Sequence, residues 1–104
     1  PASTRSQGAL LNTGNPLDLA IEGDGYFQLL LPSGDVAYTR DGVFGQNAQG
    51  NIVTKQGHLL TPQVTIPNGT QAITIGIDGV VTVTQTRSKE VSQAGQICLS
   101  RFPS

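Results

Sequence analysis

Few residues in this sequence could take part in catalysis, and the strongest candidates are two acidic residues. Glu22 and Asp24 stand two positions apart, a spacing that on a regular strand places two carboxylates on one face, as in glycoside hydrolases. Gly23 and Gly25 interrupt such a strand, and acids within glycine turns commonly hydrogen-bond to their own backbone. We therefore predict no catalytic residue here and no enzymatic activity.

The only histidine, His58, and the only cysteine, Cys98, are far apart in the sequence. A metal site needs three or four clustered ligands, so this pair predicts neither a metal site nor a cofactor. We expect His58 on a surface turn and Cys98 packed as a small apolar side chain. A single cysteine also excludes a disulfide within the chain.

Residues 23–25, Gly-Asp-Gly, could be taken for a phosphate-binding loop. Such a loop needs the N-terminus of a helix behind it, whereas an apolar, strand-like run follows here. We interpret the segment as a tight turn. The nearby Arg40 then has two candidate partners, its neighbour Asp41 in a local ion pair or a more distant acid such as Asp24.

The aromatic residues Tyr26, Phe27, Tyr38 and Phe44 could line a sugar-binding surface. Because the chain has so few aromatic side chains, we expect these four to fill the core instead. A carbohydrate-binding or adhesive β-module stays open as an alternative function.

Composition excludes several classes of partner. Charged residues make up 12% of the 104 residues and the net charge is −1, against about 25% charged in an average soluble domain. No basic cluster is available for nucleic acid, and no apolar run reaches the ~20 residues of a membrane-spanning helix. Uncharged polar groups cost less to desolvate than ions, which suits a surface covered by neighbours, and a β-domain of modest stability with a neutral face stays open as the alternative. The chain begins at Pro1 rather than Met, and we interpret it as a fragment of a longer protein.

The spacing of turns predicts an all-β domain over residues 1–104, a small sandwich or barrel of short antiparallel strands and hairpins. Residues 1–14 form a loose lead-in with a short strand at 8–12. Residues 15–44 alternate in the manner of a three-stranded meander, with strands at 17–21, 26–31 and 36–40 and a turn at 41–42. A short strand follows at 64–66, residues 86–94 form a loop with at most a short strand around Val91, and the last strand covers 96–102.

The hairpin over residues 72–84 has a register that can be derived. If Ile77, Asp78 and Gly79 form a three-residue loop, Ile75 pairs with Val81, and all the large apolar side chains of the two strands share one face. A two-residue loop would mix apolar and polar side chains on both faces, so burial selects the longer loop. That loop needs Gly79 in the left-handed conformation. The predicted core comprises Leu19, Ile21, Phe27, Leu29, Tyr38, Phe44, Ile52, Ile73, Ile75, Val81, Val83 and Leu99.

Two segments in register, EGDGYF and LPSGDVAYTRDGVF, and a third, ITIGIDGVVTVTQ, resemble the bacterial flagellar rod and hook protein family. The matching residues are Gly23, Gly25, Tyr26, Phe27, Ala37, Tyr38, Thr39, Arg40, Gly42, Phe44, Gly76, Asp78 and Gly79. The third segment and the TIP sequence at residues 65–67 are more similar to the distal-rod member than to the hook protein, and a proximal-rod paralogue stays open.

The resemblance implies a structural subunit domain of the flagellar rod, in the basal body, that self-assembles with its own copies and with neighbouring rod and hook proteins. It implies export through the flagellar secretion apparatus, torque transmission without catalysis, and no cofactor. It also implies terminal helices outside this chain that drive assembly, so we expect the isolated domain to be monomeric.

Overall fold

Residues 8–101 are described by a computed structural model, and within them the chain forms β-strands and no helix. The strands are β1 (Ala9–Asn12), β2 (Asp18–Glu22), β3 (Phe27–Leu30), β4 (Val36–Thr39), β5 (Gly42–Val43), β6 (Gly45–Gln46), β7 (Ile52–Val53), β8 (Leu59–Thr61), β9 (Thr70–Ile75), β10 (Val80–Gln85) and β11 (Val91–Gln96). The prediction of an all-β fold of short strands is confirmed. No helix in residues 8–101 has the length and hydrophobicity needed to cross a membrane.

The strands form three antiparallel sheets. Their orders are β1-β2-β5, β9-β10-β11 and β4-β3-β8-β7-β6. All three contribute side chains to one hydrophobic cluster, which therefore lies where the sheets meet. Strand β4 is at one edge of the largest sheet, and β3 beside it is paired on both sides.

The predicted meander over residues 15–44 is confirmed for its second hairpin, in which β3 pairs with β4, and is wrong for the pairing of its first two strands. Strand β2 pairs with β1 and β5, whereas β3 pairs with β4 and β8, so β2 and β3 lie in different sheets. The turn between them is a crossover rather than a hairpin. The turn predicted at 41–42 is also displaced, because Gly42 lies in β5 and is buried.

The predicted register of the β9–β10 hairpin is confirmed. Ile75 pairs with Val81 and Ile73 with Val83, and the loop residue Gly79 has a φ of 89°. Val81 and Val83 are buried while Thr74 on the opposite face is exposed, as burial of a single face requires.

The C-terminal part of the chain differs from the prediction. Strand β11 occupies Val91–Gln96, where a loop with at most a short strand around Val91 was expected. Of the predicted last strand at 96–102, Gln96 belongs to β11, and the rest contributes only a bridge between Ser100 and Tyr26 in the described residues. Residues 102–104, like residues 1–7 of the predicted lead-in, lie outside the described part of the chain. The predicted strand at 64–66 is reduced to a bridge between Thr65 and Asn51.

Most of the predicted core is found. Eight of its members are buried and Ile21, Ile73 and Leu99 pack against them half-buried, but Tyr38 is 44% exposed. In β4 the inward positions belong to Ala37 and Thr39, because the alternation of a strand defines two faces without saying which one is buried. Buried side chains missed by the prediction include Leu10, Leu17, Val53, Leu60, Val64, Ile66 and Ile97.

Candidate functional site

The family-signature residues of the first two segments meet around the side chain of Arg40. Its Nη1 donates to the carbonyl oxygens of Gly23, at 2.9 Å, and Gly25, at 2.8 Å. Its Nη2 donates to the carbonyl oxygen of Ile21 at 3.1 Å. The expected partners Asp41 and Asp24 are therefore replaced by main-chain carbonyls.

The backbone conformation of Gly23 and Gly25 allows their carbonyl groups to face the Arg40 guanidinium. Their φ angles are 95° and 130°, values that residues with a side chain rarely adopt, and the turn aims both carbonyls at the guanidinium. The same guanidinium lies 5.9 Å from the ring centroid of Tyr26, within cation–π range. Because Ile21 is in β2 and Arg40 directly follows β4, this side chain ties two sheets together.

Three further signature residues of the second segment stabilise the connection from β4 to β5 and the residue that follows it. Thr39 Oγ1 accepts a hydrogen bond from the Asp41 amide at 3.0 Å. A Cβ on Gly42 would overlap the carbonyl oxygen of Leu19 on the adjacent strand, so only glycine allows this approach. Phe44 then meets Phe27 edge to face, with ring centroids 5.0 Å apart.

The third signature segment is the β9–β10 loop. The Gly79 amide donates to the Gly76 carbonyl at 2.9 Å, and Asp78 Oδ1 accepts from the Val80 amide at 3.1 Å. The Gly79 carbonyl in turn accepts from the Ile97 amide at 2.7 Å. A Cβ on Gly79 would overlap the Ile97 carbonyl oxygen, so this loop packs directly on the segment that follows β11.

The residues considered above for catalysis or metal binding do not form a common site in the described part of the chain. Glu22 ends β2 and Asp24 lies in the turn, both exposed, and His58 is half-buried after the turn that begins at Thr54. Cys98 is exposed, which corrects the expectation that it packs inside. No group of three or more potential metal ligands occurs in residues 8–101.

Two of the four aromatic side chains are on the surface. Phe27 and Phe44 are buried, as predicted, whereas Tyr26 is 37% and Tyr38 44% exposed. Both tyrosines belong to the β3–β4 side of the large sheet, and Tyr26 also bridges to Ser100.

A groove that the prediction missed opens at the far end of β3. It has a volume of about 470 Å³, and its lining is mixed, with apolar Leu30, Leu31, Pro32 and Leu59 on one part and Asn47, Gln49, Asn51 and Gly57 on the rest. The signal was present in the sequence. Three consecutive leucines at 29–31 cannot all face inward from a strand, since successive side chains point to opposite faces.

Comparison with known proteins identifies the family. The family described as "Flagellar hook protein FlgE/F/G D1 domain" matches residues 20–83, which include every signature residue. The flagellar basal-body rod protein FlgG of Caulobacter vibrioides is 48% identical over 92% of this chain and 37% of its own length. FlgG of Agrobacterium fabrum is 41% identical over 93% of the chain and 37% of its own length.

A paralogue matches over a shorter stretch. The rod protein FlgF of Mesorhizobium japonicum is 45% identical over 51% of this chain and 22% of its own length. The chain spans little more than a third of the FlgG relatives it matches. The match over residues 20–83 and the FlgG identities establish that this chain belongs to the FlgE/F/G D1-domain family of flagellar rod and hook proteins.

Proposed function

We propose that this chain is the middle β-domain of a flagellar rod subunit, located in the basal body, and that its role is structural. The observation that carries the proposal is the 48% identity to the rod protein FlgG over 92% of the chain. The distal rod is favoured over the proximal rod, because the FlgG matches extend over 92–93% of the chain and the FlgF match over 51%.

The signature residues support a mechanical role. Arg40 is used to bind three carbonyls of its own domain, and Gly42 and Gly79 serve close backbone contacts. The chain then acts as one β-domain that passes torque to its neighbours through side-by-side packing, without catalysis or a cofactor. The low charge of the chain, 12%, lowers the cost of covering its surface.

The proposed partners are other copies of the same protein and neighbouring rod and hook proteins. Lateral contacts between such small domains are weak individually, because interfaces below ~1,200 Å² are typically transient. They become strong only when many act together in an assembly. We therefore expect the isolated domain to sediment as a monomer at micromolar concentration, and a stable closed oligomer would contradict assembly driven by segments outside it.

A domain exchange tests the function. The matching segment of Caulobacter vibrioides FlgG is replaced by this chain, and the chimera is expressed in cells that lack their own FlgG. We expect swimming in soft agar and complete flagella in electron micrographs. A chimera that accumulates at the level of the native protein but forms no rod would overturn the proposal.

A further inference from the structure

Asn68 is the only asparagine of the chain that a glycine follows. The other asparagines are followed by Thr13, Pro16, Ala48 and Ile52. An asparagine side chain loses ammonia when the main-chain nitrogen of the next residue attacks its amide carbon. Glycine obstructs this attack least, because it has no Cβ and a freely variable backbone. The sequence therefore singles out the peptide link between residues 68 and 69 for this reaction.

The fold leaves the same link exposed and unbonded. Asn68 and Gly69 are exposed in a turn that precedes β9. Within residues 8–101 the Asn68 side chain has no hydrogen-bond partner, and the Gly69 amide donates to no acceptor. The Gly69 carbonyl accepts from the Thr86 amide at 2.9 Å, and Thr70 Oγ1 donates to the Pro67 carbonyl at 2.6 Å. These bonds anchor the turn while the attacking nitrogen and the side chain that it attacks stay unpaired.

The other four asparagines all have hydrogen-bonded side chains. Asn47 Oδ1 accepts from the Asn51 amide at 2.9 Å, and Asn51 Oδ1 accepts from Thr65 Oγ1 at 2.7 Å. The side-chain amides of Asn12 and Asn15 donate to acceptors between residues 15 and 18. Each of these side chains must break its hydrogen bonds before it can rotate toward the next main-chain nitrogen, so reaction there is slower.

We propose that Asn68 is a site of spontaneous deamidation in the folded domain. The Gly69 nitrogen bonds to Asn68 Cγ, the bond from Cγ to Nδ2 breaks, and the proton of the attacking nitrogen leaves with Nδ2 as ammonia. Water then opens the resulting succinimide ring. Cleavage between the Gly69 nitrogen and Cγ gives aspartate, and cleavage between that nitrogen and the Asn68 main-chain carbonyl carbon gives isoaspartate. The reaction consumes one water, requires no enzyme, and does not depend on the rod function.

Both products alter the surroundings of the turn. Asn68 lines a cleft together with Arg87, so the new carboxylate shares that cleft with a guanidinium. In the isoaspartate form the main chain gains one carbon between Pro67 and Gly69. This moves the Gly69 carbonyl away from its present position beside the Thr86 amide, whose nuclear magnetic resonance signal therefore reports the change.

Trypsin separates the asparagines for a quantitative test. Cleavage after Lys55 and Arg87 releases residues 56–87, in which Asn68 is the only asparagine, whereas residues 41–55 contain Asn47 and Asn51. The folded chain is incubated at neutral pH and physiological temperature, and the peptides are followed by mass spectrometry. We expect peptide 56–87 to exchange NH2 for OH roughly tenfold or more faster than peptide 41–55. Equal rates, or no conversion of peptide 56–87, would overturn the proposal.

A matched variant assigns the reaction to Asn68. Asn68→Gln keeps the amide but would have to close a six-membered ring, which forms much more slowly. We expect this variant to lose the conversion of peptide 56–87 and to keep the thermal midpoint of the unsubstituted domain. Conversion that persists in Asn68→Gln would show that another residue of the peptide reacts, and would refute the assignment.

Unfolding separates the contribution of the fold from that of the sequence. The same incubation is repeated in guanidinium chloride. We expect Asn68 to react at a similar rate in the folded and the unfolded chain, and Asn47 and Asn51 to react faster once their hydrogen bonds are lost. If folding instead protects Asn68 as strongly as Asn47, the turn does not expose the link and the proposal is wrong.

Discussion

Gly79→Ala is expected to be among the most damaging single-methyl changes in this domain. Gly79 has a φ of 89°, and a Cβ there would overlap the carbonyl oxygen of Ile97. The left-handed conformation alone costs a residue with a side chain about 1 kcal/mol. Moving the Ile97 segment away also weakens the 2.7 Å bond from its amide to the Gly79 carbonyl, worth ~1 kcal/mol, and adds ~1 kcal/mol of packing strain.

A second glycine separates these contributions. Gly57 has a φ of 88°, and nothing lies within 4 Å of the position of its Cβ. Gly57→Ala should therefore cost only the backbone contribution of about 1 kcal/mol, against ~3 kcal/mol for Gly79→Ala.

Thermal and urea unfolding followed by circular dichroism measure the difference. For a domain of this size, 1 kcal/mol shifts the melting temperature by ~4–8 °C. We expect a fall of roughly 4–8 °C for Gly57→Ala and roughly 12–24 °C for Gly79→Ala. Equal shifts would refute the argument that the loop packs against the Ile97 carbonyl.

Three further predictions concern other residues. Arg40→Met should lower the free energy of unfolding by ~1–2 kcal/mol, since the three carbonyls lose a charged donor, and Arg40→Lys should recover only part of the loss in urea titrations, because one ammonium cannot span them. Phe27→Ala should cost ~3–5 kcal/mol, since it leaves a cavity beside Phe44 in a fully buried site, and a melting temperature close to that of the unsubstituted domain would contradict this. Cys98→Ser and His58→Gln should leave both the melting temperature and the swimming of the chimera unchanged, and stoichiometric zinc binding in a calorimetric titration would show that these residues do chemistry after all.

The sequence predicted those structural features that depend on residues close together in the chain. The β9–β10 hairpin was predicted with its register and with the positive φ of Gly79, both confirmed. Only four residues separate the two strands in the chain, so alternation of apolar side chains in each is enough to align them. The tight turn at residues 23–25 was predicted for the same local reason, and Gly23 and Gly25 have positive φ.

Pairing between distant strands could not be predicted in this way. The alternation in residues 17–21 says that β2 has a buried face, but not that its neighbours are β1 and β5. Strand β11 was predicted as no more than a short strand around Val91, because its sequence, VSQAGQ, lacks any run of apolar residues and four of its six positions are exposed. An edge strand that buries little leaves hardly any hydrophobic signal.

At the candidate site, the local part could be predicted from the sequence and the long-range contact could not. The signature residues were identified from the sequence, but the partners of Arg40 were sought among acids, because side-chain charge is visible in a sequence and a carbonyl direction is not. The carbonyls of Gly23 and Gly25 point at Arg40 only with φ values of 95° and 130°. The glycine turn supplies the acceptors and Arg40 supplies the donors, so two motifs 15 to 17 positions apart work as one unit. Any substitution that moves the turn should therefore weaken the Arg40 contacts too, even though it leaves Arg40 itself unchanged.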